Sequence, residues 1–325
     1  MNFELRWKSF DILKEYRRNT NCKGRDSVRK KTIEKTIALA GIRMVAPSMI
    51  IIGVFILFPI VQSFWMSLHD WNILRNTKVF LGCKNYVKAF ADERFLNAMK
   101  NTIVYTVSYV PILIFTALFV AVFINYKFSG AGFFKSLLFM PAITSMAIIA
   151  IIFRFLLDGD IGLISIWVKA LGLPAKDFLR NPDTAMGSVV LTGVWRWMGF
   201  NMVIILSGLN AIPDSLYEAA EIDGAGKVRQ FFSISLPLLM PTMTFVLITN
   251  LISSFQVFDQ IYVMTKGGPV FSTEVLVYYI YYRGFNVFDM GYASAMAFIL
   301  FCIILIMTLV QLKGFRESEK NGVNA

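Results

Sequence analysis

The sequence is poor in the residues that build metal centres and disulfide scaffolds. Its 325 residues include one histidine, His69, and three cysteines, Cys22, Cys83 and Cys302. The cysteines are odd in number and scattered over a tail, a connecting stretch and an apolar run, so we expect free thiols rather than a disulfide framework. A lone histidine is more often structural than catalytic, and we assign His69 no chemical role.

Charged residues are also scarce. They make up 16% of the chain, whereas hydrophobic residues make up 56%. This balance leaves too little polar material to cover the surface of a soluble globular protein. The abundance of Phe, Leu, Ile and Val equally excludes a disordered chain, because these side chains do not stay solvated.

Six long apolar segments dominate the sequence. Each is long enough to cross a hydrocarbon core of about 30 Å as a helix, and helices are expected because lipid offers no hydrogen-bond partner to the backbone. The prediction is an all-α membrane protein with six transmembrane helices. The segments run from Met44 to Leu68, Thr102 to Ile124, Ser136 to Leu157, Met186 to Leu209, Leu238 to Val263 and Gly291 to Leu312.

Residues 1–43 form a basic tail with 12 of the 32 Lys and Arg residues and 5 of the 21 acidic residues. Basic residues near a span resist translocation, so we place this tail and the C-terminal tail, residues 313–325, in the cytoplasm. The start of the tail fits either a short helix on the membrane surface or a frayed segment. Nothing near it resembles a base-reading module, so no nucleic acid is expected as a partner.

A polar stretch between the fourth and fifth segments, residues 211–237, has the pattern of two short helices joined by a glycine turn. Ser215 followed by Glu218 has the spacing of a capping box, which predicts a helix start near Ser215. Gly224 and Gly226 are residues that readily take positive φ, so the first helix ends there and a second begins near Lys227. The first helix would present a small apolar side with an acidic fringe, which suits docking into a groove of a partner.

This stretch closely resembles the EAA loop of permease subunits of bacterial ABC importers. The matching residues in the loop are Glu218-Ala219-Ala220, Asp223-Gly224-Ala225, Ile234, Leu236 and Pro237. Further motifs, over about residues 45–312, resemble the carbohydrate-uptake branch of the maltose and multiple-sugar type. They are Phe80-Leu81-Gly82, Asn85-Tyr86, Asn101-Thr102, Pro141-Ala142, Ala211-Ile212-Pro213-Asp214 and Lys266-Gly267-Gly268-Pro269.

The resemblance implies a type I importer permease fold over residues 44–312, in the bacterial cytoplasmic membrane. Such a subunit pairs with a homologous second permease subunit above two cytoplasmic ATPase subunits, and a sugar-binding protein delivers the cargo from outside. The EAA loop is the coupling element in that family. The coupling residues implied for this chain are Glu218, Ala219, Ala220, Asp223 and Gly224.

The sequence offers no nucleotide site of its own. A phosphate-binding loop has the spacing G-x-x-x-x-G-K-[ST], whereas Gly224-Ala-Gly-Lys-Val is too short and has Val228 where a magnesium-binding hydroxyl is required. We therefore expect no cofactor on this chain, with ATP and Mg bound by the partner ATPase subunits. The expected role is transport and not catalysis.

Polar residues inside two apolar segments mark a candidate substrate path. Arg196 lies near the middle of the fourth segment, where a guanidinium costs about 2.5–3.5 kcal/mol, so it should face water or protein. A polar stripe at i, i+3, i+4 and i+7 spacing on the fifth segment should also face inward. The candidate path residues are Arg196, Trp197, Phe200, Asn201, Asn250, Ser253, Ser254 and Val257.

In maltose-type relatives these two spans line the sugar site, and the matching positions imply a sugar oligomer as cargo. Ser253 and Val257 depart from the maltose-type pattern, and Arg196 favours an acidic cargo such as an alginate or other uronate chain. Two alternatives remain open: the stripe holds helices together, and Arg196 forms an internal ion pair.

Two rival functions are weighed against a permease. An ion-coupled secondary sugar carrier would show inverted repeats and midplane acids, and a membrane enzyme would show converging catalytic groups. Neither pattern is present in the sequence.

Overall fold

The computed structural model describes residues 39–75, 77–126, 130–172 and 177–323, without side chains for 315–323. The start of the N-terminal tail, for which a surface helix and a frayed segment were both left open, and the thiol of Cys22 lie outside these residues. Cys83 and Cys302 are free thiols, as predicted. The chain divides into two units, Met1–Gln62 and Ser63–Ala325.

The described residues are mostly helical. Five helices are long and apolar enough to cross a membrane, and a sixth span results if α4 and α5 are taken together. In chain order the elements are α1 (Leu39–Ser67), β1 (His69–Asn72), β2 (Thr77–Phe80), α2 (Lys84–Ala91), α3 (Glu93–Asn125), α4 (Ala131–Ile143), α5 (Met146–Leu156), α6 (Leu163–Ala170), α7 (Pro182–Asn210), α8 (Asp214–Ile222), α9 (Lys227–Phe255), α10 (Asp259–Met264), α11 (Leu276–Tyr281) and α12 (Met290–Val323).

Two prolines follow widened, π-helical turns. One turn, Gly53–Leu57 in α1, precedes Pro59, and another, Phe231–Ser235 in α9, precedes Pro237. A proline ring clashes with the carbonyl four residues earlier in a regular α-helix. In both cases that earlier residue lies within the widened turn, so the irregularity accommodates the ring.

The third apolar segment is not one helix, and the prediction of a continuous span from Ser136 to Leu157 is wrong. Its two halves, α4 and α5, meet at an angle of 99°. Thr144 adopts an extended conformation between them, with φ −74° and ψ 143°. Pro141, in the last turn of α4, lacks the amide proton that would continue the helical ladder. The break exposes backbone carbonyls that need partners inside the membrane.

The fifth apolar segment also differs from its predicted extent, Leu238 to Val263. The helix α9 begins at Lys227, inside the polar loop, and ends at Phe255. Val257 therefore lies beyond the helix, and its predicted place on one helical face with Asn250 is wrong. Phe258 leaves helical geometry, with φ −142° and ψ −60°, before α10 begins. Hydropathy averaged over the segment does not detect this end, although the polar residues Gln256, Asp259 and Gln260 follow it, because apolar residues resume at Ile261.

Helix α7 is the central element of the second unit and packs against α3, α4 and α9. Its buried side chains, among them Met202, Ile205 and Leu206, join a core cluster with residues of α3 and α9. Close approach to α4 occurs at Gly199, where a Cβ atom would lie 1.8 Å from the Leu138 carbonyl oxygen. Glycine is thus required at this crossing, as is typical of helices that pack closely in membranes.

We expect Gly199→Ala to destabilise the fold by about 1–3 kcal/mol, the usual range for overpacking. The added methyl would collide with α4 backbone, which cannot move aside as a flexible side chain can. Thermal melting of the purified chain in detergent measures the loss. Gly187→Ala on the same helix is the matched control, because nothing lies within 4 Å of its added Cβ. Equal melting of the two variants would contradict the close packing.

An antiparallel hairpin of β1 and β2 follows the first span. Asn85 in α2 holds it by donating from Nδ2 to the carbonyl oxygens of Ser67 and His69, at 2.8 Å and 3.0 Å. The Tyr86 hydroxyl lies 2.6 Å from the Ser67 Oγ. These bonds give the Asn85-Tyr86 motif a structural role, and His69 itself packs between Trp65 and Phe80.

Candidate functional site

The loop between the fourth and fifth spans has the predicted two-helix form with a different start. Helix α8 begins at Asp214, and Pro213 occupies the N-cap position without any side-chain capping bond. The predicted capping box of Ser215 and Glu218 is therefore wrong. Ser215 already lies inside the helix, where its hydroxyl does not reach the orphan amides ahead of it.

Helix α8 ends in a Schellman motif centred on Gly224. The Ala225 amide donates to the Ala220 carbonyl at 2.8 Å, and the Gly224 amide donates to the Glu221 carbonyl at 3.0 Å. Gly224 takes the left-handed conformation that this motif needs, with φ +76°. Gly226 has φ −68°, so only one of the two glycines fulfils the prediction of positive φ.

Three side-chain contacts fix α8 against the start of α9. Lys227 forms an ion pair with Glu221, and this hydrogen bond lowers the pKa of the Glu221 carboxyl. Gln230, which is buried, donates to the Ala225 carbonyl at 3.0 Å. The Tyr217 hydroxyl lies 2.9 Å from Ser235 Oγ, across the turn. The loop is therefore a braced corner and not a loose connector.

The outer side of this corner is open. We define the coupling surface as Glu218, Ala219, Ala220, Asp223 and Gly224, of which Ala220 is half-buried and the others are exposed. Large apolar side chains stand exposed beside it: Leu216, Ile222 at 88% and Val228 at 73% of their areas. The combination of exposed apolar groups with a rim of carboxylates is typical of an interaction site.

The candidate path begins at Arg196, which is tied to the break in the third span. Its Nε and Nη2 donate to the Thr144 carbonyl oxygen at 3.3 Å and 3.1 Å. The guanidinium also stacks on Trp197, 4.3 Å from the ring centre. Among the described residues no carboxylate lies within ion-pair distance of Arg196, so the broken helix and not an internal salt bridge holds this cation.

Two asparagines of the path bind each other. Asn250 Nδ2 donates to Asn201 Oδ1 at 2.7 Å and to the Val246 carbonyl at 2.7 Å, while Asn201 Nδ2 donates to the Trp197 carbonyl at 2.9 Å. Both side chains are buried, since Asn201 is 2% exposed and Asn250 is 7% exposed. Ser254 is also buried and donates to the Leu251 carbonyl at 2.8 Å. The asparagine pair joins α7 to α9, and the hydrogen bonds of all three side chains are made within the chain.

The remaining path residues are more open. Phe200 is 42% exposed, and its ring meets Trp197 edge to face with centroids 5.7 Å apart. Ser253 is exposed, on a different side of α9 from Ser254. The structure thus divides the predicted set into an interior group of Asn201, Asn250 and Ser254, an accessible group of Arg196, Trp197, Phe200 and Ser253, and Val257 beyond the end of α9.

A buried ionic network lies at the start of α3, and it was not among the predictions from the sequence. Arg94 donates from Nε and Nη2 to both carboxylate oxygens of Glu274, at 2.8 Å and 2.7 Å, and Glu274 is fully buried. The guanidinium also lies over the rings of Phe271 and Tyr282, 4.3 Å and 4.4 Å from their centres. This pair could not be predicted because Arg94 and Glu274 are far apart in the sequence.

Asp92 is the second member of this region. It caps α3 through the Arg94 and Phe95 amides and accepts the Tyr279 and Tyr292 hydroxyls at 2.7 Å and 2.8 Å. Burial acts to raise the pKa of the Asp92 carboxyl, but these hydrogen bonds outweigh it and leave the pKa below its ordinary value.

The motif residues Asn101 and Thr102 also belong to this region. Asn101 donates from Nδ2 to the Phe271 and Glu274 carbonyls, and Thr102 Oγ1 accepts the Leu276 amide at 2.9 Å. They anchor the segment between α10 and α11 to α3.

The chain has clear relatives among transport proteins. Residues 87–312 match the family model described as "Binding-protein-dependent transport system inner membrane component". The probable ABC transporter permease protein YurN of Bacillus subtilis is 34% identical, over 82% of this chain and 92% of the relative. The sn-glycerol-3-phosphate transport system permease protein UgpA of Yersinia pestis is 34% identical, over 83% and 92%. The sulfoquinovosyl glycerol transport system permease protein SmoG of Agrobacterium fabrum is 33% identical, over 86% and 92%.

A solved structure shares the fold. A chain of a bacterial alginate ABC transporter, crystallised with an alginate pentasaccharide-bound periplasmic protein, superposes with a TM-score of 0.76. It covers 86% of this chain and 94% of its own length, at 22% sequence identity. The predicted type I permease fold is confirmed. The chain therefore belongs to the family of inner membrane components of binding-protein-dependent transport systems, as a multi-pass ABC transporter permease.

Proposed function

We propose that this chain is one of two permease subunits of an ATP-driven importer that moves oligosaccharides across the bacterial inner membrane. The relatives named above support a sugar or sugar-related cargo, and the shared fold with an alginate transporter supports an oligomeric one. A binding protein outside the membrane would deliver the cargo. Both termini would lie in the cytoplasm.

The coupling surface is the place where the energy of ATP would enter. Two partner ATPase subunits would bind ATP and Mg, and each would seat an EAA loop of one permease. The braced corner around Gly224 supports this role, because a rigid element transmits a movement that a loose connector would absorb. Closure of the ATPase pair would then shift the two permeases from an inward-open to an outward-open population.

The observation that carries the proposal is the exposure of Glu218 and its apolar neighbours on a braced corner. The test is to express the chain with its candidate permease and ATPase partners and to purify the assembly. ATP hydrolysis is then measured with a panel of sugar-loaded binding proteins. Copurification with an ATPase and stimulation by a loaded protein are expected. A chain that transports sugar alone, driven by a proton or sodium gradient, would contradict the proposal.

The acidic refinement of the cargo predicts a selective effect at Arg196. Two of its N–H groups bind the Thr144 carbonyl, and Nη1 remains for a carboxylate on a sugar. Arg196→Gln is expected to reduce uptake of uronate oligomers by about tenfold to a hundredfold, as loss of a charged hydrogen bond of about 1.5–3 kcal/mol would. Uptake of neutral oligomers should change much less.

The measurement is uptake of uronate and neutral oligomers into proteoliposomes that contain the assembled importer. Thr116→Val provides a control, because the Thr116 hydroxyl bonds only within α3. If Arg196→Gln reduced the uptake of uronate and neutral oligomers equally, Arg196 would have only a structural role at the helix break. The proposal of an acidic cargo would then be wrong, whereas the assignment of a sugar cargo would remain.

A further inference from the structure

Five aromatic side chains form a continuous cluster just beyond the end of α9. We define the aromatic shelf as Phe258, Tyr262, Tyr278, Tyr281 and Phe285. Phe258 is its centre, with ring centroids 5.4 Å from Tyr262, 6.4 Å from Tyr278 and 5.2 Å from Tyr281. Tyr281 extends the shelf by stacking on Phe285 at 5.4 Å.

The shelf rests on a rigid base and is open at two ends. Val275, which is fully buried, belongs to the core cluster that Tyr278 packs against. A Cβ atom at Gly267 would lie 3.1 Å from the Tyr278 ring, so backbone packs directly against this ring. Tyr262 is 41% exposed and Phe285 61% exposed. The stacked rings therefore offer faces and edges to a ligand without rearrangement of the fold.

The chemistry of the shelf matches a saccharide. Sugar rings have apolar faces that stack on aromatic rings and hydroxyls that need donors and acceptors. The shelf supplies both, because three of its five members carry phenol groups. Asp259, exposed at the start of α10, adds a carboxylate acceptor beside Phe258.

The shelf is also connected to the candidate path. Helix α10, which carries Tyr262, packs against α5 and α7. Trp197, on which the Arg196 guanidinium stacks, packs against the same core cluster as Tyr278 of the shelf. A saccharide chain that leaves the shelf along α10 thus approaches Arg196. The amides of Asn201 and Asn250, by contrast, are already satisfied within the chain.

We propose that the aromatic shelf is a saccharide-binding subsite that holds one part of an oligosaccharide while another part occupies the path at Arg196 and Phe200. This inference rests on the proposed function as an oligosaccharide importer. It assigns the shelf to cargo, whereas tyrosines that serve only as membrane-interface anchors would contact lipid.

The test uses the dependence of transport on the length of the cargo. Dimers and pentamers of glucose and of uronic acid, each loaded on the binding protein, are the probes, and the assembled importer is reconstituted in proteoliposomes. Tyr262→Ala and Phe285→Ala are expected to lower the pentamer-to-dimer ratio of uptake rates by about threefold to tenfold, as loss of a stacking contact would. Tyr262→Phe, which keeps the ring, should retain most of the ratio.

Phe115→Ala is the matched control, because Phe115 is an exposed aromatic side chain on α3, away from the shelf. Its ratio should equal that of the wild type. Equal losses for pentamer and dimer in the shelf variants, or equal losses in all three alanine variants, would overturn the subsite and leave a structural or lipid-anchoring role. A wild-type importer that takes up none of the probes would instead contradict the oligosaccharide assignment, and the subsite with it.

Discussion

The double variant Glu218→Arg, Gly224→Pro should strongly reduce cargo-stimulated ATP hydrolysis while the chain remains inserted in the membrane. Proline fixes φ at about −65° and has no amide proton. Gly224, by contrast, has φ +76° and donates its amide proton to the Glu221 carbonyl. The corner would therefore lose its angle, and the arginine would cancel the negative charge of the coupling surface. We expect a fall of about 5- to 150-fold in stimulation, the range of typical coupling free energies.

Ser215→Ala is the control for this variant. Ser215 lies on the same exposed helix, but its hydroxyl makes no capping bond. Stimulated hydrolysis should stay near the wild-type rate, and all three proteins should appear equally in the membrane fraction. Wild-type stimulation in the double variant would mean that the loop only connects two spans.

Removal of the Arg94 side chain should cause the largest loss of stability. Arg94→Met leaves the fully buried Glu274 carboxylate without its bidentate partner, and breaking such a pair costs about 3–5 kcal/mol. Thermal melting in detergent measures the effect. The double variant Arg94→Met, Glu274→Leu should recover much of the loss, because two apolar side chains can replace a buried pair at little cost.

Arg180→Met supplies the comparison. Arg180 pairs with Asp177 at 3.3 Å, but 74% of its side chain is exposed, so we expect a change of only about 0–1 kcal/mol. Similar melting of Arg94→Met and Arg180→Met would show that the network is weak. A double variant less stable than Arg94→Met would show that the region needs Glu274 for another reason.

Hydropathy predicted which segments enter the membrane but not where their helices break. The third segment is apolar on both sides of Thr144 and Ser145, so an average over many residues does not detect the 99° bend. A proline such as Pro141 favours a kink, yet the size of the bend depends on tertiary contacts, including the Arg196 guanidinium that satisfies the Thr144 carbonyl. The end of α9 at Phe255 was hidden in the same way.

The loop was predicted more completely because its signals are local. Positive φ at Gly224 and the start of the second helix at Lys227 follow from residue chemistry over a few positions. The error lay at the other end, where Pro213 took the N-cap position that the Ser215 pattern favoured. More than one residue near a helix start can occupy the N-cap position, and the path of the backbone into the helix decides which one does.

Distant pairs were beyond sequence reasoning. Helical spacing correctly placed Asn250 and Ser254 inside the protein, but it did not show that Asn250 would bind Asn201, 49 residues away. The ion pair of Arg94 and Glu274 spans 180 residues. Such contacts depend on how helices meet, and periodicity within one helix carries no information about its neighbours.

The mutual bonding of Asn201 and Asn250 bears on how this transporter could acquire a new cargo. A change at either amide would leave a buried polar group unpaired, so it would destabilise the protein before it could improve selectivity. Phe200 and Ser253 are free of that constraint because they are exposed. Laboratory evolution toward a different sugar should therefore accumulate substitutions at these two positions first, and leave the asparagine pair unchanged.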